Sequence, residues 1–389
     1  MTIFFATKVR GFFKHLFSNK KINASFTYST NQVYETGSNV SKLLAKMIRF
    51  SICDFLGIIQ VVTKKNETCD LYGSYNRFLN TDKSYFIYVE NPTALFHYSI
   101  NRSKTLLGKR KVSKCINDVN LKALVFMSKA CANTFESVCH SIPSNIEKRI
   151  IYPYVPSNSQ ISVEDIKLKS QTPQLKLLYI AQGMRFTSKG GLEVIDAFVK
   201  LYSLGYTDIS LTMITSIDEI DQQLKDRINR IEGIKLYDFK FDYQQMERMY
   251  AESHILLQPT SEDSFGLTIL EAMKAGLPVL ATKLYSIPEL IVHGKNGFLT
   301  EPHYWFFDQN NIPNPTVWNS RKETIYSEKI SDSIVSFLCN SIINLNNDRS
   351  LLEKMSLSSY RIAHSFPFDE ESIVDQWNSL IEKITKISD

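Results

Sequence analysis

Apolar and polar positions along this chain change period repeatedly, and each change marks an element. SYFIYVE (84–90) is apolar for the length of one strand and runs into the turn-like NPTALF. LKALVFMS (121–128) and RIIYPYVP (149–156) read the same way, the last closed by prolines. KACANTFESVC (129–139) spaces its apolar residues by three and four and predicts a helix. Near the start, FFATKVRGFFKHLF (4–17) sets Phe5, Val9, Phe12, Phe13, Leu16 and Phe17 at helical spacing against Lys8, Arg10, Lys14 and His15. That predicts a short amphipathic helix. At 158–174 the pattern dissolves into NSQISVEDIKLKSQTPQ, which reads as a linker.

A second alternating series follows. Strands are expected at 175–182, 209–215, 234–239, 255–259 and 278–282, and helices at 190–205, 219–231, 242–253 and 267–275. Strand and helix in alternation is the signature of an α/β fold. Two such series in 389 residues imply two Rossmann-like domains, with a cleft expected at the carboxyl ends of their strands.

Composition narrows the class. Hydrophobic content of 43% and charge of 22% are those of an ordinary globular protein. The six cysteines are scattered without a Cys-x-x-Cys pair, which argues against a zinc site and a secreted disulfide framework. No run of about 18 apolar residues is present to predict a transmembrane helix, and charges at 8, 10 and 14 break any signal-peptide core. The expected setting is cytoplasmic. Lys8, Arg10, Lys14, Lys20 and Lys21 precede the first acid, Glu35, and equal the formal net charge of +5. That local excess disfavours nucleic acid, which calls for a basic stripe across a domain. It makes residues 4–21 either a surface for an anionic membrane at the inner face or an ordinary core helix, two readings of equal weight.

The densest chemistry lies in PTSEDSFGLTILEAMKAGLPVLAT (259–282). Gly266 opens a helix whose first-turn N–H groups suit a phosphate. Asp263 sits three residues before it, and Glu271 lies inside the helix among Leu270, Ala272 and Met273. A carboxylate in that company needs a partner, and a ribose diol is one candidate. The plainer alternative is that Glu262 and Asp263 only bias the helix dipole while Glu271 pairs with Lys274 or a neighbouring element.

With KLYSIPELIVHGKNGFL following, this stretch resembles the donor segment of family 4 of the glycosyltransferases, retaining enzymes of the GT-B fold. Weaker likeness runs over roughly residues 84 to 386. The resemblance implies an N-terminal acceptor-side domain (1–168), a C-terminal nucleotide-sugar domain (169–366) and a last helix (367–389) crossing back to the first. Glu271 takes the place of the ribose-binding Glu. Asp263 takes that of the Glu that touches the transferred sugar, and Ser264 replaces a Gly. Glu262, Phe265, Gly266, Leu267 and Thr268 fill the rest of the donor loop. In QGMRFTSKGG, Gly183 and the pair Arg185 and Lys189 stand where the family holds the diphosphate, with Met184 at the position usual for Arg. On the acceptor side, Glu90, Asn91 and His97 follow a strand end.

The implied activity is transfer of a sugar from a nucleotide-sugar donor to a glycan or lipid-linked acceptor hydroxyl, with neither metal nor cofactor and with retention. Surface polysaccharide or lipid-linked glycan synthesis is the expected setting. The rivals are a nucleotide-sugar epimerase and a non-catalytic GT-B partner subunit.

Overall fold

Thr2–Phe5 form a strand, β1, and only Gly11–Phe17 are helical. The apolar spacing of residues 4–17 is therefore shared between two elements, not carried by one helix. Phe5, Val9, Phe12, Phe13 and Leu16 are all buried, so the face read as membrane-seeking is spent inside the protein. The computed structural model describes residues 1–28, 47, 48, 50–65, 67–139, 142–182 and 185–386. Contacts divide the chain into two units. The first joins Met1–Tyr154, Asn310–Pro313 and Glu370–Asp389, and the second joins Val155–Gln309 and Asn314–Asp369. The division falls at Tyr154, where the sequence reading put it at 168.

In the first unit β1 is joined by β2 (Ser25–Tyr28), β4 (Leu71–Tyr75), β6 (Tyr85–Val89), β7 (Leu121–Phe126) and β8 (Glu147–Ile150) in one parallel sheet ordered β2-β1-β4-β6-β7-β8. A separate ribbon pairs β3 (Val61–Thr63) with β5 (Phe78–Asn80). The core is aromatic. Phe5 packs on Phe13 and Phe86 with ring centroids 5.0 and 5.6 Å apart, and Trp377 of the last helix, Glu370–Lys386, stacks on Tyr88 at 5.9 Å. Gly73 faces the Phe5 ring at a distance that leaves no room for a Cβ. Each fully buried aromatic is worth roughly 1.5–3 kcal/mol of hydrophobic stabilisation.

The second unit is built on β9 (Leu175–Ala181), β10 (Ile209–Thr215), β11 (Ile234–Asp238), β12 (Ile255–Gln258), β13 (Val279–Thr282) and β14 (Gly297–Thr300), all parallel. The inner strands β9, β12 and β13 are buried along nearly their whole length, as a parallel sheet covered on both faces requires, while edge strand β11 alternates half-buried and exposed residues. Counted one to six, the strands lie in the order 3-2-1-4-5-6 of a dinucleotide-binding sheet. Two connecting helices start at polar caps: Asp221 accepts from the Leu224 N–H, and Asp242 forms a capping box with Gln245, whereas Gly191–Ser203 and Leu267–Lys274 start at glycines. The expected linker holds a helix, Val163–Ser170, started by a Ser162–Asp165 capping box and anchored through buried Ile166. Six cysteines are free thiols, and among the described residues no helix is long and apolar enough to cross a membrane.

Candidate active site

The strand order of the second unit reverses between β9 and β12. Ligands of open α/β sheets bind outside the carboxyl ends of the strands at such a reversal. The loop after β9 carries Arg185 and Lys189, and the loop after β12 carries Glu262 and Asp263. The two are stitched together: the Ser261 N–H donates to the Ser188 carbonyl at 2.8 Å, and the Thr260 hydroxyl reaches the same oxygen at 3.3 Å. Gly190 makes the close approach possible. Its φ is +78°, and a Cβ there would lie 2.5 Å from the Pro259 oxygen.

Lys189 Nζ donates to Asp263 Oδ2 at 2.5 Å, the two side chains only 11% and 14% exposed. Asp263 Oδ1 accepts from the Phe265 N–H at 3.1 Å and the Gly266 N–H at 2.9 Å. Burial pushes the Asp263 pKa up, but the charge and hydrogen bond of Lys189, the Phe265 N–H and the charge of Arg185 outweigh it and hold the group below its ordinary value. The sequence reading left the N–H groups at this helix start free for a ligand, yet two at the corner already serve Asp263. Gly266, with φ +92°, turns the chain into the helix Leu267–Lys274.

Glu271 finds its partner outside the segment: Tyr250 OH donates to its Oε2 at 2.7 Å. Burial raises the Glu271 pKa and the Tyr250 bond partly offsets it. Glu271 and Thr268 line a cavity of about 300 Å³ whose other walls include Phe239, Phe241 and Tyr243. Asp242 and Glu247 also line it, but Asp242 caps its own helix and Glu247 accepts from Ser159, so aromatic walls with Glu271 suit a flat heterocycle carrying a diol.

Glu262 is buried and accepts from Tyr326 OH at 3.2 Å. Burial raises the Tyr326 pKa, Glu262 raises it further, and Arg185 and Arg321 pull it down. Arg185 itself is exposed. Ser264 and Phe265 contribute carbonyls that accept from Ser286 Oγ at 3.1 and 3.0 Å, while the Phe265 side chain is buried. Leu267 is half-buried at the first helical position. Gly183 lies outside the described residues. Sequence reasoning missed Tyr250 and Tyr326, because each reaches its acid from a distant element.

The acceptor-side residues belong to the first unit. Glu90 follows β6 and accepts from Tyr75 OH and from Arg10 Nη2, the latter at 3.3 Å. Arg10 is held charged chiefly by Glu90, and burial, reinforced by Glu90, keeps the Tyr75 phenol protonated. Asn91 is a turn residue: its Oδ1 accepts from the Thr93 N–H at 3.1 Å and the Thr93 hydroxyl at 2.8 Å. His97 ends that turn with φ 55°, and burial, with the charges of Arg102 and Arg77, lowers its pKa to about 4.

Residues 174–305 match the family model described as Glycosyl transferases group 1. This stretch is a group 1 glycosyltransferase domain. It holds Lys189, Asp263 and Glu271 but ends before Tyr326. Over 304 residues the chain is 23% identical to an uncharacterized 41.2 kDa protein in the cps region of Klebsiella pneumoniae, covering 74% of this chain and 78% of that one. A stretch of 110 residues is 34% identical to N-acetyl-alpha-D-glucosaminyl L-malate synthase of Bacillus anthracis, 28% of each chain. A stretch of 109 residues is 30% identical to a sucrose synthase of Solanum tuberosum, covering 26% of this chain and 12% of that enzyme. Among solved structures, Anabaena HepE in complex with UDP-glucose superposes with a TM-score of 0.60 at 16% identity over 98% of this chain and 99% of that one. WaaG, a glycosyltransferase involved in lipopolysaccharide biosynthesis, gives 0.59 at 14% over 100% and 99%. The group 1 domain thus sits in a chain with the GT-B fold of two Rossmann-like units.

Proposed function

We propose that this chain is a retaining glycosyltransferase that moves a hexose-type sugar from a nucleotide-sugar to an acceptor hydroxyl. The observation that carries the reading is the Lys189–Asp263 pair beside the Glu271-lined cavity at the strand-order reversal. Glu271, held by Tyr250, accepts from the ribose hydroxyls while the base lies against the aromatic wall. Lys189 and exposed Arg185 meet the diphosphate and stabilise the charge it gains as the sugar leaves. With those cations the reaction needs no metal, and the departing diphosphate takes up the acceptor proton, so no protein base is assigned. Asp263 and Glu262, the latter set by Tyr326, face the sugar. The acceptor is a glycan or lipid-linked glycan, handled by the first unit near Glu90. The cps-region protein and WaaG support a role in surface polysaccharide synthesis. HepE's complex with UDP-glucose makes UDP the first nucleotide to test.

A second reading, a non-catalytic partner subunit, draws on Asp263 being engaged by its own backbone and Lys189. The test is a panel of UDP-, GDP- and ADP-sugars in EDTA, read by melting temperature and nucleotide release. One nucleotide class is expected to raise the melting temperature by mass action and to be released with sugar transfer. Binding without turnover favours the subunit, an isomerised sugar the epimerase, and no binding of any nucleotide removes both enzyme readings.

A further inference from the structure

The residues matched to the family end at 305, and the helix Asp332–Asn347 begins well after them. Tyr326, which sets Glu262, comes from the stretch between. That stretch also holds an aromatic stack. The rings of Phe306 and Trp318 lie face to face with centroids 4.3 Å apart. Trp318 sits in the short helix Pro315–Asn319, begun by Asn314, whose side chain accepts from the Thr316 N–H at 3.1 Å. The Trp318 indole N–H donates to the Phe306 carbonyl at 2.8 Å and fixes the pair, and both side chains are buried.

Arg321 lies against this stack. Its guanidinium carbon is 4.5 Å from the centre of the Trp318 ring and 5.2 Å from that of Phe306. The Arg321 carbonyl accepts from the Tyr326 N–H at 2.8 Å, and the Tyr326 hydroxyl in turn reaches Glu262 at 3.2 Å. Arg321 is thereby tied to the donor loop through one tyrosine, whose phenol feels the guanidinium charge. Among the described residues no carboxylate lies within ion-pair distance of Arg321, and no acceptor takes a hydrogen bond from its side chain. Ring stacking occupies the face of a guanidinium and leaves the N–H fork at its edge unspent. Such a fork matches the two oxygens of a carboxylate, and the rings have already removed rotamer freedom that a solvated arginine would lose on binding.

We infer that the donor sugar is a hexuronic acid whose carboxylate is taken by Arg321, given the reading of Glu262 and Asp263 as the acids that face the sugar. Those two acids repel a third carboxylate, so an acidic sugar needs a cation of its own. Lys189 already answers Asp263, and Arg185 is assigned to the diphosphate. Arg321 stands beyond both, next to the tyrosine that holds Glu262. A neutral hexose offers a hydroxyl in place of the carboxylate and leaves the charge of the fork unanswered.

The experiment measures Kd for matched pairs of donors that differ only in that group: UDP-glucuronic acid against UDP-glucose, UDP-galacturonic acid against UDP-galactose, and GDP-mannuronic acid against GDP-mannose, with bare UDP and GDP alongside. For the nucleotide that binds, one acid is expected to bind about 10–100-fold more tightly than its neutral counterpart, the worth of hydrogen bonds between charged groups. In Arg321→Gln that ratio should fall to about one. Arg321→Lys keeps the charge without the fork and should restore part of it. Melting temperatures check that the variants are folded, bare nucleotide checks that the cavity is intact, and the wild-type comparison needs no variant. Three results overturn the inference and leave the glycosyltransferase reading standing: acid and neutral donors binding alike while bare nucleotide binds; an acid preference unchanged in Arg321→Gln; or Arg321→Gln weakening both members of a pair equally, which would make Arg321 a brace for the stack. Failure of every nucleotide and nucleotide-sugar to bind would overturn the donor-site reading itself, and the acidic sugar with it.

Discussion

Lys189→Met keeps most of the side-chain bulk and removes the charge that meets Asp263. Two unit charges about 4 Å apart at an effective dielectric near 20 attract by roughly 4 kcal/mol. Desolvation of this nearly buried pair takes back much of that in the wild type. Deleting one partner leaves the cost of the other unopposed, typically about 3–5 kcal/mol. Asp263 keeps its bonds from Phe265 and Gly266, so a loss nearer 2–3 kcal/mol is expected, a melting temperature lower by about 5–10 °C for a unit of this size. Lys189→Met/Asp263→Asn carries no stranded charge and should recover at least half of the loss. The pH dependence has a definite sign. The folded pKa of Asp263 is depressed, so its contribution is complete above the unfolded value, about 3.9, and fades as pH falls through the folded one. The gap between wild type and Lys189→Met should be constant at neutral pH and close in acid. Calorimetry from pH 7 down to pH 3 measures it. An unchanged melting temperature at pH 7, or single-variant losses that simply add in the double variant, would refute the argument.

Three further outcomes are expected. Glu271→Ala should weaken nucleotide binding by about 10–100-fold, the worth of hydrogen bonds to a charged group, and Tyr250→Phe by less; equal affinity in a folded Glu271→Ala protein would remove the ribose assignment. Gly190→Ala should cost 2 kcal/mol or more, roughly, because strain at positive φ adds to a clash with Pro259; denaturant titration measures it, and wild-type stability would show that the two loops can part. Tyr326→Phe, which frees the Glu262 carboxylate, should raise KM for the nucleotide-sugar several-fold and leave the Kd of the bare nucleotide alone, whereas a parallel change in both would make Tyr326 merely structural.

The second unit was legible because its inner strands are apolar runs and two of its helices start at the polar caps Asp221 and Asp242, signals that live in adjacent residues. The first unit was harder. Phe5 and Phe13 fall at helical spacing by coincidence, one on a strand and the other on a helix, and LYGSY (71–75) has a glycine and a serine in what proved an inner strand. The helix Val163–Ser170 announced itself through Ser162 and Asp165, a capping-box spacing overlooked because the stretch buries little beyond Ile166 and Ser170. In the site, Lys189, Asp263 and Glu271 were readable from local pattern. Their partners were not: Tyr250 and Tyr326 lie 21 and 64 residues from Glu271 and Glu262, and no local rule connects them. The turn role of Asn91 was visible in Asn-Pro-Thr, whereas the Arg10–Tyr75–Glu90 network needed the sheet order.

The helix Glu370–Lys386 belongs to the first unit and brings Trp377 into contact with Phe13, Phe86 and Tyr88. Protein synthesis runs the other way. The first 154 residues leave the ribosome long before this helix is made, while the second unit has nearly all its chain in one stretch. The half synthesised first must therefore wait, its aromatic groove open, until the half synthesised second has emerged and could already have folded. At about 5–20 residues per second that wait lasts on the order of ten seconds or more. A nonsense mutation before Glu370 would then injure the beginning of the protein more than its middle.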